Sequence, residues 1–271
     1  MMIKKIAFVV LALSVFSCKD NSEKEKEMKI IKNEVSEPVV RKYPEALEKV
    51  FNAHGGINAW GKYRTLTYEI PREPNKEIHT VDLYNRKDVV LMGNVELGFD
   101  GTQVWLQDPD NSYQGDPVFY HNLMFYFYAM PFVLGDKGIH YGGTEDLEFE
   151  GKSYPGISIT YDNGIGTSPK DEYYLHYDPE THQMAWLGYT VTYRTGEDSD
   201  NIKWIRYNDW KKVADVLLPK SISWYDYEGR TIKQVKNTVH FENIQLSEKP
   251  KRNGFYQKPE GAVFVEGKSQ T

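Results

Sequence analysis

FYHNLMFYFYAMPFVLGD, running from Phe119 to Asp136, is the stretch on which the fold turns. Ten of its first sixteen residues are Phe, Tyr, Leu or Val. Three readings compete: a membrane span, a core element, or the wall of a binding site. Asp116-Pro117 just upstream has the form of a helix start, an Asp cap with Pro at the first helical position. Pro131 ends or kinks the helix, because it has no N–H to continue it. About fourteen residues rise only roughly 21 Å, short of the roughly 30 Å of a bilayer core. His121 and Asn122 also interrupt the run. The sequence therefore predicts a buried helix with a kinked exit, and no span. Phe119, Leu123, Tyr126/Phe127 and Met130 fall on one face, and Tyr120, Met124 and Tyr128 on the next. A helix apolar nearly all round is buried on more than one side.

What buries it is legible on either side. Tyr43 to Ala53 reads as an amphipathic helix, with Leu47, Val50 and Phe51 at helical spacing and His54-Gly55-Gly56 as its stop. From Lys62 onward the period changes to two. Leu66, Tyr68 and Ile70 alternate with Thr65, Thr67 and Glu69. Further short strands follow at residues 78–83, 89–92, 102–107, 147–149, 153–161, 172–177, 184–193, 202–210, 222–227 and 231–245. Turn signals such as Asp100-Gly101, Gly151-Lys152, Asp178-Pro179-Glu180-Thr181 and Glu228-Gly229 separate them. The expectation is one antiparallel sheet or barrel, with the apolar helix on its concave side.

The first eighteen residues are written differently. Lys4 and Lys5 precede a short apolar run, Ile6 to Phe16, and then Ser17-Cys18. A run of about eleven fits a signal peptide and not a span. Cys18 is the chain's one cysteine, and it stands where a lipobox places the residue that becomes lipid-modified. With no second cysteine there is no disulfide to stabilise the fold. Residues 19–42 are mixed-charge, with Glu23-Lys24-Glu25-Lys26-Glu27 at their centre, and bury too little to fold alone. As a coil they average roughly 27 Å end to end. The expected organisation is a signal peptide over 1–17, a lipidated Cys18 and charged tether over 18–42, one half-barrel domain over 43–248 and a C-terminal tail over 249–271.

The composition excludes several classes. Formal charge is -6, with no basic patch for a nucleic acid. There is no phosphate-binding loop, no GxGxxG, no HExxH and no Cys/His cluster. No cofactor and no metal is therefore expected. Candidates for acid–base work are histidines. His140 lies near Asp136 and Glu145, and that trio is where an envelope hydrolase would begin. His121, beside Asn122, reads as a satisfied semi-buried group, His54 as a helix-end residue, and His176 as an outward strand position. Asp108, Asp110 and Asn111 fail the calcium-loop pattern, because Phe119 stands where the last ligand belongs. Glu197-Asp198-Ser199-Asp200 reads as a solvated loop. Residues 163–169 read as a flexible loop without a phosphate role. Ser153, Ser158 and Ser168 lie in no nucleophile context.

Three segments carry a resemblance. They are Ala53-His54-Gly55-Gly56-Ile57-Asn58-Ala59-Trp60 with Leu66-Thr67-Tyr68, then Phe125 to Leu134 (FYFYAMPFVL), then Asp171-Glu172-Tyr173 with Tyr177-Asp178-Pro179-Glu180-Thr181-His182. Together they resemble a family of uncharacterised Bacteroidetes lipoproteins, across roughly residues 43–248. Lys19-Asp20-Asn21-Ser22 is similar to the surface-export signals of such lipoproteins. The layout is also similar to the LolA/LolB-like lipoprotein-carrier half-barrels, and Phe99-Asp100-Gly101-Thr102-Gln103-Val104-Trp105 resembles a hairpin of that superfamily. The resemblance implies a concave apolar site for acyl chains, in a protein of the anchored, acceptor-like kind.

The resulting expectation is an α+β fold, a strongly curved antiparallel half-barrel with an N-terminal helix and a hydrophobic helix on its concave face. It would be anchored to the outer membrane, on the periplasmic face or at the cell surface. Its role would be non-catalytic binding of a lipid or acyl chain, with Tyr120, Leu123, Met124, Phe127 and Tyr128 as cavity wall. The competing expectations are the hydrolase near His140 and an interaction module whose helix merely fills the barrel.

Overall fold

The chain alternates as expected between one helical start and a long antiparallel meander, and a computed structural model describes residues 43–162, 170–193 and 195–266. Cys18, the tether and the loop 163–169 lie outside the described residues. Helix α1, Glu45–Ala53, buries Leu47, Val50 and Phe51, the apolar face read from its sequence. Glu45 and Glu48 favour its first turn, where the helix dipole is positive. The stop is made by glycine. Gly55 and Gly56 have φ of 103° and 95°, and the Gly56 N–H closes back on the Phe51 carbonyl at 2.8 Å. A single turn, α2 (Ile57–Trp60), follows.

Among the described residues fourteen strands then form two seven-stranded antiparallel sheets. Sheet 1 has the order β13-β1-β2-β3-β4-β5-β14, from β1 Thr65–Ile70, β2 Glu77–Asp82, β3 Asp88–Met92, β4 Val95–Phe99, β5 Val104–Gln107, β13 Glu242–Ser247 and β14 Val263–Val265. Sheet 2 has the order β12-β11-β10-β9-β8-β7-β6, from β6 Ile139–Phe149, β7 Lys152–Tyr161, β8 Tyr173–Tyr177, β9 Met184–Tyr189, β10 Lys203–Val213, β11 Val216–Glu228 and β12 Thr231–His240. The sheets are strongly curved and do not close, so the fold is the α+β arrangement expected. One sheet was expected and two are found. The expected strand over 231–245 breaks at Phe241, where the chain leaves β11 and joins β1. A strand that bends and changes sheet makes such a corner. The Phe241 N–H still bonds the Lys220 carbonyl at 2.8 Å, and its buried ring turns into the core.

The main core lies between the sheets. It joins Leu66, Tyr68 and Ile70 of β1, Leu187 of β9, Ile205 and Tyr207 of β10, and Leu218 and Ile222 of β11 to α1 and the Phe119–Asp136 stretch. A second, smaller core covers the other face of sheet 2, where Leu147 and Tyr154 lie over Trp186 and Trp204. The Arg206 guanidinium stacks on it, 4.8 Å from the Trp186 ring centroid. That second core corrects the reading of His176. The alternation on β8 pointed it outward, but that face is covered, and His176 is 0% exposed. It donates from Nδ1 to the Tyr154 carbonyl at 3.0 Å.

The C-terminal residues add to sheet 1. Val263–Val265 pairs with β5, and Trp105 donates from Nε1 to the Tyr256 carbonyl at 3.1 Å. No helix among the described residues is long and apolar enough to cross a membrane.

Candidate functional site

The greasy stretch is the crossover between the sheets, running from β5 of sheet 1 to β6 of sheet 2. Its start is as read: the Asp116 carboxylate accepts from the Val118 and Phe119 N–H groups, and Pro117 opens helix α3, Pro117–Tyr120. The single helix expected is instead two. Asn122 leaves the helical region, with φ -115° and ψ 1°, and a second helix, α4, covers Leu123–Tyr128. The break falls where sheet 1 takes two consecutive side chains. Tyr120 donates its hydroxyl to Glu77 Oε2 at 2.6 Å, and His121 Nδ1 lies 3.0 Å from Asp88 Oδ1. Beyond Pro131 a tighter turn, Phe132–Gly135, completes the segment.

This insert is held mainly through side chains. Tyr207 donates to the Phe127 carbonyl at 2.8 Å, Tyr141 to the Leu134 carbonyl at 2.5 Å and Tyr43 to the Gly135 carbonyl at 3.0 Å. Phe132 stacks on Trp60 with centroids 4.8 Å apart. At its end both Asp136 carboxylate oxygens accept from Arg86 Nη2, at 2.7 and 2.5 Å. Sheet ladders contribute nothing to this attachment, since none of the insert is strand.

The five expected wall residues do not share one face. Tyr128 packs between Tyr68 of β1 and Phe241 of the corner, 4.4 Å from each centroid. Phe127 points toward sheet 2, 5.1 Å from Tyr189 and 5.7 Å from Trp224. Tyr120 is bound to Glu77 of sheet 1. Met124 is buried in the main core, and Leu123 packs half-buried against it.

Beneath α3 and α4, sheet 1 carries a polar row that the sequence did not reveal. The register sets Tyr68 opposite His79, Ile70 opposite Glu77, and Val81 opposite Asp88. Glu77, His79 and Asp88 are thus buried on a face otherwise apolar. Arg72 Nε donates to Glu77 Oε1 at 3.0 Å, His79 Nε2 lies 3.1 Å from Glu77 Oε2, and the His79 ring stacks on Tyr68 at 4.7 Å. A cleft of about 310 Å³ opens beside Arg72, lined also by Glu69, Pro71, Glu73, Lys76 and Glu242. Burial pushes the Glu77 carboxyl up, but hydrogen bonds from His79 and Tyr120 and the nearby Arg72 charge outweigh it, so it sits below the usual range. Burial wins at Asp88, whose carboxyl is raised despite His121. Three buried oxygens of this region have no partner among the described residues: Asp88 Oδ2, Tyr68 OH and Tyr128 OH. The phenols of Tyr68 and Tyr128 are both held protonated by burial.

The row was hidden because residues 77–82 alternate between two mixed sets, Glu-His-Val and Ile-Thr-Asp, and period two alone does not say which faces inward. The pairing of His121 with a carboxylate had one available signal, its place at the polar edge of the apolar helix.

The expected acid–base group around His140 is not assembled. His140 is exposed and pairs with Asp162, 2.5 Å from Oδ1, while Asp136 is taken by Arg86. Asp108 instead organises its own loop, accepting from the Ser112 and Tyr113 N–H groups. Among the described residues no three His, Cys, Asp or Glu side chains converge to hold a metal.

A family of unknown function, DUF6503, matches residues 114–243, which take in the insert and the whole of sheet 2. No curated protein matches the sequence. Among solved structures, the chain is similar to a DUF1329 family protein from Desulfovibrio piger, at 9% identity and a TM-score of 0.47, over 75% of this chain and 94% of that one. It is similar to a LolA superfamily protein from Nitrosomonas europaea, at 11% identity and a TM-score of 0.44, over 76% and 93%. It is also similar to the lipoprotein LppX of Mycobacterium tuberculosis, at 11% identity and a TM-score of 0.25, over 55% and 90%.

Proposed function

We propose that this protein is an outer-membrane lipoprotein, anchored through Cys18, that binds an acyl chain or similar apolar ligand between its two sheets without chemical turnover. The observation that carries the reading is the nature of the insert. It is an aromatic, Met-containing plug fixed by tyrosine hydrogen bonds, the His121–Asp88 contact, the Arg86–Asp136 pair and apolar contacts, with no ladder bond to either sheet. An apolar guest replaces the apolar part of these contacts with contacts of the same kind. Met and Tyr walls suit this exchange, since the thioether adapts its shape and phenols keep a polar tip. Each buried methylene of the guest contributes roughly 0.8 kcal/mol, so a long chain offsets the displacement of a few aromatic rings. The lipobox-like end at Cys18 supports the anchor, and the charged tether would give the domain roughly 27 Å of reach.

The test is mass spectrometry of lipids extracted from the full chain purified from membranes. A stoichiometric lipid in repeated preparations, exchangeable with added fatty acyl compounds, is expected. A chain that is consistently empty and takes up no apolar probe overturns the proposal.

A further inference from the structure

We infer that Tyr68 and Tyr128 form the polar contact point of the guest, and that the group they take is an uncharged carbonyl, the ester or amide at the head of an acyl chain. The inference rests on the binding role proposed above.

It starts from atoms that the fold leaves unanswered. Most buried polar groups are hydrogen-bonded, and an exception asks for an explanation, of which a partner from outside the polypeptide is one. Of seven such atoms among the described residues, three oxygens, Asp88 Oδ2, Tyr68 OH and Tyr128 OH, belong to one region. The Tyr68 and Tyr128 rings lie 4.4 Å apart, one on the wall and one on the plug, and Asp88 is near enough to act electrostatically on the Tyr68 hydroxyl. Other buried polar groups nearby are occupied: Glu77 by Arg72, His79 and Tyr120, and His121 by Asp88.

The chemistry of the missing partner follows from the donors. Both phenols carry a proton and have no acceptor, so the guest supplies an acceptor oxygen. Its charge follows from the neighbours. Glu77 is ionised within the same row and Asp88 adds a second carboxyl, so a carboxylate or phosphate would sit against like charge in a dry interior. A carbonyl of an ester or amide accepts two hydrogen bonds without that repulsion. Both oxygens are closed from solvent, so the guest reaches them only with α4 displaced from sheet 1. That movement leaves the backbone ladders of both sheets intact.

The experiment uses the delipidated full chain and displacement of a fluorescent apolar probe by methyl decanoate, undecane and decanoate. Methyl decanoate is expected to bind about tenfold more tightly than undecane, the effect of one or two net hydrogen bonds, and more tightly than decanoate. In the Tyr68→Phe/Tyr128→Phe variant the ratio of ester to undecane affinity is expected to fall to about one, from about ten in the wild type. Equal affinity of the wild type for ester and alkane overturns the inference and leaves the binding role standing. So does an ester preference that survives in the double variant, and tightest binding by decanoate overturns the uncharged-carbonyl assignment. If none of the three displaces the probe, the binding role falls and this inference with it. Thermal melting serves as the folding control. A double variant that melts well below the wild type, with no ester preference in either, assigns the two hydroxyls to structural water and also overturns the inference.

Discussion

Tyr207→Phe and Tyr128→Phe delete the same atom from two buried tyrosines of the same core, and the structure expects opposite results. Tyr207 is 1% exposed, and its hydroxyl donates to the Phe127 carbonyl at 2.8 Å, fastening α4 to β10. Removing it leaves a buried carbonyl short of a donor, which costs about 1–3 kcal/mol. At about 2–4 °C per kcal/mol for a domain of this size, the melting temperature falls by roughly 2–12 °C. Tyr128 is 0% exposed, and its hydroxyl has no partner among the described residues. Replacing it by Phe keeps the ring between Tyr68 and Phe241, opens no cavity, and removes a polar atom that was desolvated without return. The expected change is from about zero to a gain of about 1 kcal/mol. Both variants should be measured on delipidated protein, by thermal melting and by urea unfolding, with equal urea slopes as the check that only stability has changed. If Tyr128→Phe costs as much as Tyr207→Phe, the Tyr128 hydroxyl is satisfied in the unliganded protein. The reasoning about orphaned oxygens is then refuted.

Three further outcomes are expected. Burial lowers the His54 and His176 pKa values to about 4, outweighing a hydrogen bond to a backbone carbonyl in each case. Unfolded histidine titrates near about 6.5, so the unfolded chain binds more protons between those values. The stability these residues contribute is complete above about pH 6.5 and is lost as the pH falls toward about 4. Urea unfolding across that window should show the decline, and His176→Gln should make it shallower; an unchanged slope would contradict the assignment. Gly55→Ala should be far more damaging than Gly56→Ala. Both have positive φ, but a Cβ at Gly55 meets the Asp215 carbonyl oxygen at 2.3 Å, whereas at Gly56 the nearest atom is Asn52 Oδ1 at 3.8 Å. Melting of the two variants checks the order, and the reverse order would show that the α1 stop does not seat on the β10–β11 turn. Finally, Cys18→Ser should abolish incorporation of labelled fatty acid and release the protein from membranes; continued labelling would place the anchor elsewhere.

The identity of the local elements was legible in the sequence because it depends on neighbours a few residues apart. The α1 face of Leu47, Val50 and Phe51, the glycine stop after it, the Asp116-Pro117 helix start and the turn at Asp178 all satisfy backbone groups within one or two turns of chain. The shortness of the Phe119–Asp136 stretch likewise settled, by length alone, that it does not span a bilayer as a helix. What the sequence left open is everything that depends on which distant surface comes to meet a residue. Phe241 reads as one more strand position until β11 and β1 claim its two sides. His176 reads as outward until the far halves of β6 and β7 fold over it. The apolar helix reads as continuous until Glu77 and Asp88 draw Tyr120 and His121 onto sheet 1. Glu77, His79 and Asp88 are ordinary polar residues in one dimension; only the register of three strands under one helical plug turns them into a buried row, with oxygens that none of the described residues satisfies.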